Sequence, residues 1–136
     1  MAVSSQYVSA PTLDVSVGAT ANGGRDGTGT LVLAASGPAA VAGAGVGKRI
    51  SRATVKATGT NIAGMVRFFV STDGGVTSRL LTEVPVTATT PSASVASFEA
   101  TVPNVVGLVL PDANARVYWS TNNAEQFVVT VEGGLM

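Results

Sequence analysis

The sequence predicts an all-β, single-domain β-sandwich of the jelly-roll or Greek-key type. Short segments of alternating apolar and polar residues recur every ~8–12 residues, which is the spacing of sandwich strands. No window has an apolar stripe of helical period, and the Ala-rich run 34–44 is interrupted by Gly37, Pro38 and Gly43. At 136 residues the chain is long enough for one domain with one hydrophobic core.

Residues 1–47 differ in composition from the rest and are predicted to form a Gly/Ala-rich N-terminal arm. Nine of the thirty residues from Gly18 to Gly47 are glycine, and ordering such a stretch costs much conformational entropy. Two short strands are expected inside the arm, at Thr12–Val17 and Gly29–Ala34. The arm is expected to be mobile in isolation and to become ordered against a neighbouring molecule.

Residues 48–136 are predicted to form the sandwich body of the same domain. Segment 52–58 alternates, so that Ala53, Val55 and Ala57 share one face. The Asp73-Gly74-Gly75 turn signal predicts a β-hairpin between the segments on either side of it, and Pro85 near the end of the second of these indicates an edge strand or a bulge. The strands expected in the body are Arg52–Thr58, Met65–Ser71, Leu80–Val86, Val95–Val102, the short apolar run Val105–Leu110, Arg116–Thr121 and Gln126–Glu132.

The composition argues against most kinds of chemistry. The chain has no Cys and no His, so disulfides, thiolate metal sites and the commonest general base are excluded. Eight Lys and Arg balance eight Asp and Glu, which leaves no basic field for nucleic acid. No apolar run approaches the length of a membrane span, and no signal-peptide pattern is present. We therefore expect a soluble protein, made in a cytoplasm, that is not an enzyme and uses no cofactor or metal.

Three weak chemical signals have simpler interpretations. The segment Ala42–Arg49 resembles a phosphate-binding loop, but it lacks the first glycine and the hydroxyl residue, so a flexible loop entering a strand is favoured. Glu83 and Glu99 could face each other as a glycosidase pair, although ordinary solvent-facing strand residues are favoured. The candidate Ca²⁺ ligands Asn22, Asp26 and Asp112 show no sign of converging.

Five residues are candidates for contact with a protein partner or a second subunit: Lys48, Arg49, Arg52, Lys56 and Trp119. The four cations form the only basic cluster, and alternation places Arg52 and Lys56 on one strand face. That face is either a contact stripe for an acidic surface or a solvated face that blunts edge pairing, and the second interpretation is favoured. Trp119 and Tyr118 should point to opposite faces, with Trp119 as a core residue or an inter-subunit anchor.

About two-thirds of the chain, roughly residues 48–134, resembles small virion proteins of tailed bacteriophages. The resemblance is carried by the run 55–69 (VKATGTNIAGMVRFF), by 80–86, 89–93 and 108–111, by 120–127 (STNNAEQF), and by the late Gly133-Gly134. It implies a virion component, leaves its place in the particle open, and carries no catalytic residues. Residues 1–47 are not covered by it.

Together with the composition, this resemblance leads to a functional expectation. The expected role is that of a capsid cement or decoration protein on the virion surface, made in the host bacterial cytoplasm. Its expected partners are the major capsid protein and copies of itself in a homotrimer or dimer, without nucleic acid or membrane. The alternative is a tail- or fibre-associated receptor-binding module, for which Asn122–Gln126 beside Tyr118 would form a glycan site.

Overall fold

The computed structural model describes residues 10–39 and 47–136, and these residues form β-strands and loops without a helix. The all-β prediction is therefore confirmed. The strands are β1 (Ala10–Gly18), β2 (Val32–Ser36), β3 (Lys48–Ala57), β4 (Gly64–Ser71), β5 (Arg79–Val86), β6 (Glu99–Thr101), β7 (Val109–Leu110), β8 (Arg116–Thr121) and β9 (Phe127–Leu135).

The strands form two antiparallel sheets. Sheet A has the order β1-β9-β3-β6, with β7 also paired to β3, and sheet B has the order β2-β8-β4-β5. The pairings are nested along the chain, because β4 pairs with β5, β3 with β6, β2 with β8 and β1 with β9. Successive pairs in this series alternate between the two sheets, so most connections between consecutive strands cross from one sheet to the other.

The core consists of the side chains on the inner faces of both sheets. Ala53, Val55 and Ala57 of β3 are buried as the alternation predicted, and on β9 Phe127 and Val129 are buried beside them. Trp119, Phe68 and Val66 supply the facing side chains of sheet B, and they belong to the same apolar cluster. Burial of these apolar side chains is the main source of stability in a fold without disulfides.

The β4–β5 hairpin confirms the turn prediction around Asp73. Gly74 and Gly75 have φ of 74° and 93°, a conformation that side chains with a Cβ disfavour. The Asp73 carboxylate accepts hydrogen bonds from the Thr77 N–H at 2.9 Å and the Ser71 hydroxyl at 2.8 Å. The bond from Thr77 is the main cause of the lowered pKa of Asp73, with that from Ser71 next. β5 is an edge strand, as Pro85 indicated.

Several strand boundaries differ from the prediction for local reasons. β2 begins at Val32 instead of Gly29, because Gly29 has a φ of 84° that no strand residue adopts. β6 is limited to three residues, since a turn closed by hydrogen bonds between Ser92 and Val95 occupies the start of the predicted Val95–Val102 strand. Only Val109–Leu110 of the apolar run 105–110 pairs as a strand.

The described part of the predicted N-terminal arm takes part in the sandwich. β1 lies at the edge of sheet A and β2 at the edge of sheet B. Pairing with β9 extends over all nine residues of β1 without a register shift. The boundary predicted at residue 47 therefore separates two compositions, but it does not separate the sheets from an arm outside them.

Candidate contact face

Three of the four predicted cations lie on the outer face of sheet A. Arg49, Arg52 and Lys56 are exposed on β3, and alternation correctly placed Arg52 and Lys56 together. Lys48 is buried instead, because the register between β3 and β9 shifts between Ile50 and Arg52. The extra residue of this bulge inverts the alternation upstream, and Lys48 therefore joins Ile50 on the inner face.

Buried Lys48 is paired with Asp14 of β1. The Lys48 ammonium donates a hydrogen bond to the Asp14 carboxylate, and the two side chains are 7% and 36% exposed. The pair joins two strands that both flank β9 in sheet A. A charge as deeply buried as that of Lys48 requires such a partner. In this folded chain Lys48 is thus a structural residue with almost no exposed surface.

Trp119 is fully buried in the core of its own chain. Its indole N–H donates a hydrogen bond to the Ser16 hydroxyl of β1 at 2.9 Å. A Cβ on Gly18 would lie 2.9 Å from the Trp119 ring, so the glycine allows β1 to approach the ring closely. The core interpretation of Trp119 is therefore the one that the structure supports, and Tyr118 lies on the opposite face as predicted.

The outer face of sheet A carries an apolar stripe on β1. Leu13, Val15 and Val17 are 66%, 59% and 51% exposed, whereas the polar residues between them face inward, Ser16 to Trp119 and Asp14 to Lys48. This orientation is the reverse of the usual alternation on a sheet with one solvated face. A contiguous exposed apolar patch of this kind is typical of an interaction surface.

Polar and charged side chains adjoin the apolar stripe on the same face. In the register of sheet A, Leu13 aligns with Glu132 and Arg52, Val15 with Thr130 and Thr54, and Val17 with Val128 and Lys56. Arg52 donates to Glu132 at 2.9 Å. A shallow open depression of about 360 Å³ lies farther along the sheet, lined by Arg52, Thr54, Glu99, Ala100 and Thr101. We call the whole surface, from β1 to β6, the contact face.

The outer face of sheet B is covered in part by the chain itself. Phe69 points away from the core and is nevertheless fully buried. The segment between β1 and β2 approaches this face, where Arg25 donates to Glu83 at 2.9 Å and Arg67 donates to the same carboxylate oxygen at 3.0 Å. The hydrogen bond from Arg25 is the largest cause of the lowered pKa of Glu83. Among the described residues, sheet B keeps exposed side chains such as Leu33 and Leu80 on its edge strands, whereas the apolar stripe of sheet A is more than half exposed.

A loop over residues 22–30 covers part of sheet B. The Asn22 amide donates to the carbonyls of Thr28 and Thr30, each at 3.0 Å, and closes the loop on itself. Gly27 at its tip has a φ of 81°, and a Cβ there would lie 2.1 Å from the Ser78 carbonyl oxygen. Such a compact loop with its ends held together is an Ω-loop.

The candidate catalytic pair is not assembled. Glu83 lies on β5 of sheet B and is paired with arginines, while Glu99 lies on β6 of sheet A. Among residues 10–39 and 47–136, no group of three or more Asp and Glu side chains could hold a metal ion. Asp26 accepts hydrogen bonds from Thr28, which lower its pKa, and Asp112 accepts one from the Asn114 N–H, so each serves a local turn.

Most of the segment that resembles a phosphate-binding loop, residues 42–46 of 42–49, lies outside the described residues. A strand begins within the segment, at Lys48, where a phosphate loop would lead into a helix. In the described part of the chain, no helix is long and apolar enough to span a membrane.

The predicted glycan cluster is also not formed. Tyr118 is directed toward the β4–β5 turn, since a Cβ on Gly75 would lie 2.3 Å from its hydroxyl oxygen. Residues 122–126 follow the opposite end of β8, and the side chains of Asn122, Asn123 and Glu125 bond to the chain itself. For example, Asn123 donates to the Ala63 carbonyl at 3.1 Å, and Glu125 accepts from the Ile62 N–H at 3.1 Å.

Comparisons with family models, curated proteins and solved structures found no match to this chain. The apolar stripe on β1 is the feature that sequence reasoning missed. Its alternation was visible in Thr12–Val17, but the usual rule would have turned Leu13, Val15 and Val17 toward the core.

Proposed function

We propose that this chain is a phage virion structural protein that binds a protein surface through the contact face of sheet A. The observation that carries the proposal is the difference between the two outer faces. The chain's own Ω-loop covers part of sheet B, whereas sheet A presents an apolar stripe beside exposed cations. An exposed face with an apolar strip and charged surroundings fits a protein partner that supplies both apolar and acidic groups.

Within that class, a capsid cement or decoration protein is the role we favour. The resemblance of residues 48–134 to tailed-phage virion proteins supports it. The nested pairing supports it further: with the two-residue β7 set aside, eight strands pair in an order that we infer to be a jelly roll, an architecture used by viral capsid domains. The proposed partners are the major capsid protein and other copies of this chain.

Such a role needs shape-matched contacts more than tight binding by a single protomer. A symmetric oligomer that touches several capsid subunits at once gains affinity by effective concentration. Arg49 and Lys56 would orient the contact face on an acidic surface, since Arg52 is already paired with Glu132, while the apolar stripe would supply the buried area.

The copy number of the protein in purified virions tests the role. Quantitative mass spectrometry would give its ratio to the major capsid protein. Hundreds of copies in a simple ratio to capsid subunits are expected for a decoration protein. A few to a few dozen copies would favour the tail- or fibre-associated receptor-binding alternative, and complete absence from virions would refute the proposal.

Charge reversal tests the contact face itself. The double variant Arg49→Glu/Lys56→Glu should lose binding to capsid shells in a co-sedimentation assay, because both side chains are exposed on sheet A. Arg79→Glu is the matched control, since Arg79 is exposed on the edge strand of sheet B. Equal binding by the double variant and the control would contradict the assignment of the contact face.

Truncation can test separately whether residues before β1 reach the capsid. The deletion must end at residue 9, because β1 begins at Ala10 and Asp14 and Ser16 bond Lys48 and Trp119. A chain lacking residues 2–9 that folds and binds shells normally would exclude a capsid-binding role for that segment.

A further inference from the structure

We propose that β1 pairs with β1 of a second copy, so that two molecules join their A sheets into one continuous sheet across a two-fold axis. This inference does not rest on the virion role, because it concerns the isolated protein. In the described part of the chain, the backbone of β1 forms its ladder with β9, and β1 is the last strand on that side of sheet A. Within these residues, the other edge of β1 is therefore free to pair with another strand.

The other described edges carry features that oppose strand addition. β5 contains Arg79, Glu83 and Pro85. β2 has only five residues and a register shift, and β6 has only three residues. Short strands, charges, prolines and bulges all discourage pairing with another chain.

β1 has almost none of these features. It is nine residues long, its register with β9 is unbroken, and its outward residues from Leu13 to Val17 are apolar. Its one charge, Asp14, points inward, which by itself would disfavour an added strand. Lys48 already neutralises that charge, however, so a new strand would not leave it unpaired. Residues 12–18 also lack proline, so none of the N–H groups that point to the free edge is missing.

The sequence of β1 selects one register. Residues that face each other across an antiparallel pair point to the same side of the sheet, so the two-fold axis must pass beside a residue. An axis at Asp14 would place two carboxylates opposite each other, and an axis at Leu13 would bring Pro11 into the ladder. An axis at Val15 avoids both, because Leu13 then faces Val17 of the second copy and Asp14 faces its Ser16. It also keeps residues 12–18 in the ladder, whereas an axis at Ser16 or Val17 would pair five or fewer residues of β1.

In this register the apolar stripes of the two copies merge. Leu13, Val15 and Val17 of each molecule lie side by side on one outer face, with the two Val15 side chains at the centre. Cross-strand apolar pairs of this kind stabilise an antiparallel ladder. The zero net charge of the chain provides no overall repulsion against such association.

Measurement of the mass of the purified full chain by light scattering during gel filtration tests the association. The wild type should elute at twice the chain mass of 13.5 kDa. Val15→Lys should raise the dimer dissociation constant on the order of 100-fold, because two like charges would then face each other. Val109→Lys is the matched control, since Val109 is exposed on the same face but far from β1.

Mixing supplies a test of the symmetry. Val15→Glu alone should also be monomeric, and an equimolar mixture with Val15→Lys should restore the dimer. A monomeric wild type at its highest soluble concentration, or a dimer that persists in Val15→Lys, would overturn the proposal.

Cysteine cross-linking tests the register without relying on affinity. The chain has no native cysteine, so a single substitution gives an unambiguous product. Val15→Cys should form a disulfide-linked dimer under mild oxidation, because directly opposed Cα atoms lie within disulfide range. Leu13→Cys should not, since its two copies would be about 13 Å apart along the strands. Efficient cross-linking of Leu13→Cys with none of Val15→Cys would refute the register.

Discussion

The ion pair between Lys48 and Asp14 allows a quantitative test of how the inner face of sheet A is stabilised. The two partners differ in burial: the Lys48 side chain is 7% exposed, and that of Asp14 is 36% exposed. Removal of the Asp14 carboxylate leaves the Lys48 ammonium deeply buried and without a partner. Removal of the ammonium leaves a carboxylate that water can still reach. The two single substitutions should therefore differ in their effect on the free energy of unfolding.

The magnitudes follow from the cost of an unpaired buried charge. Breaking a buried pair typically costs about 3–5 kcal/mol, and the partial exposure of the site favours the lower end. We expect Asp14→Ala to destabilise the fold by about 3 kcal/mol. Lys48→Met keeps the length and apolar volume of the side chain, so it should cost about 1 kcal/mol. The double variant should resemble Lys48→Met, because no charge is then left unpaired.

Equilibrium unfolding in urea measures all three variants. Trp119 is the only tryptophan and is fully buried, so its fluorescence reports global unfolding. The wild type and variants must show the same slope against urea for the free energies to be compared. A Lys48→Met variant less stable than Asp14→Ala, or simple additivity in the double variant, would refute the reasoning.

Three further predictions concern the loss of stability at acidic pH, the core and the Ω-loop. The pKa of Glu83 is lowered from its ordinary value of 4.5 in the folded protein. The ionised carboxylate therefore contributes fully to the free energy of unfolding above that value, and this contribution is lost as pH falls through the lowered pKa. Glu83→Gln should therefore reduce the free energy of unfolding at pH 7 and make it vary less with pH below about pH 5. Urea unfolding at several pH values measures this, and the same pH dependence in the variant and the wild type would contradict it. Ser16→Ala should cost about 1–3 kcal/mol, because the indole N–H of Trp119 loses its acceptor; a thermal unfolding midpoint equal to wild type would be inconsistent with that bond. Gly27→Ala should cost about 2 kcal/mol or more through its positive φ and its contact with the Ser78 carbonyl, and unchanged urea stability would show that the loop does not pack there.

Much of the fold could be predicted because each strand carries its own local pattern. β8 has the predicted bounds, and the hairpin at Asp73 is present. The predictions were wrong where contacts with another segment of the protein override the local pattern. The bulge in β3 moves Lys48 to the inner face, and nothing in the local sequence marks the extra residue. Likewise, a turn between Ser92 and Val95 shortens β6.

The candidate site was predicted only in part. Arg52 and Lys56 were placed correctly on one face because alternation is a local property of β3. The apolar stripe could not be predicted, since its orientation depends on what β1 meets inside the fold. Ser16 and Asp14 face inward because Trp119 and Lys48 offer them polar partners there, and Leu13 and Val15 are turned outward as a consequence.

The amino-acid sequence alone shows that this protein is built from short β-strands, because the apolar period and the turn residues act over a few positions. It also excludes histidine and cysteine chemistry, since neither residue is present. Which side of each sheet is open can be read only from the folded chain. That choice depends on contacts between residues far apart in the chain, such as Ser16 with Trp119 and Arg25 with Glu83, and these contacts leave no periodic trace in the sequence.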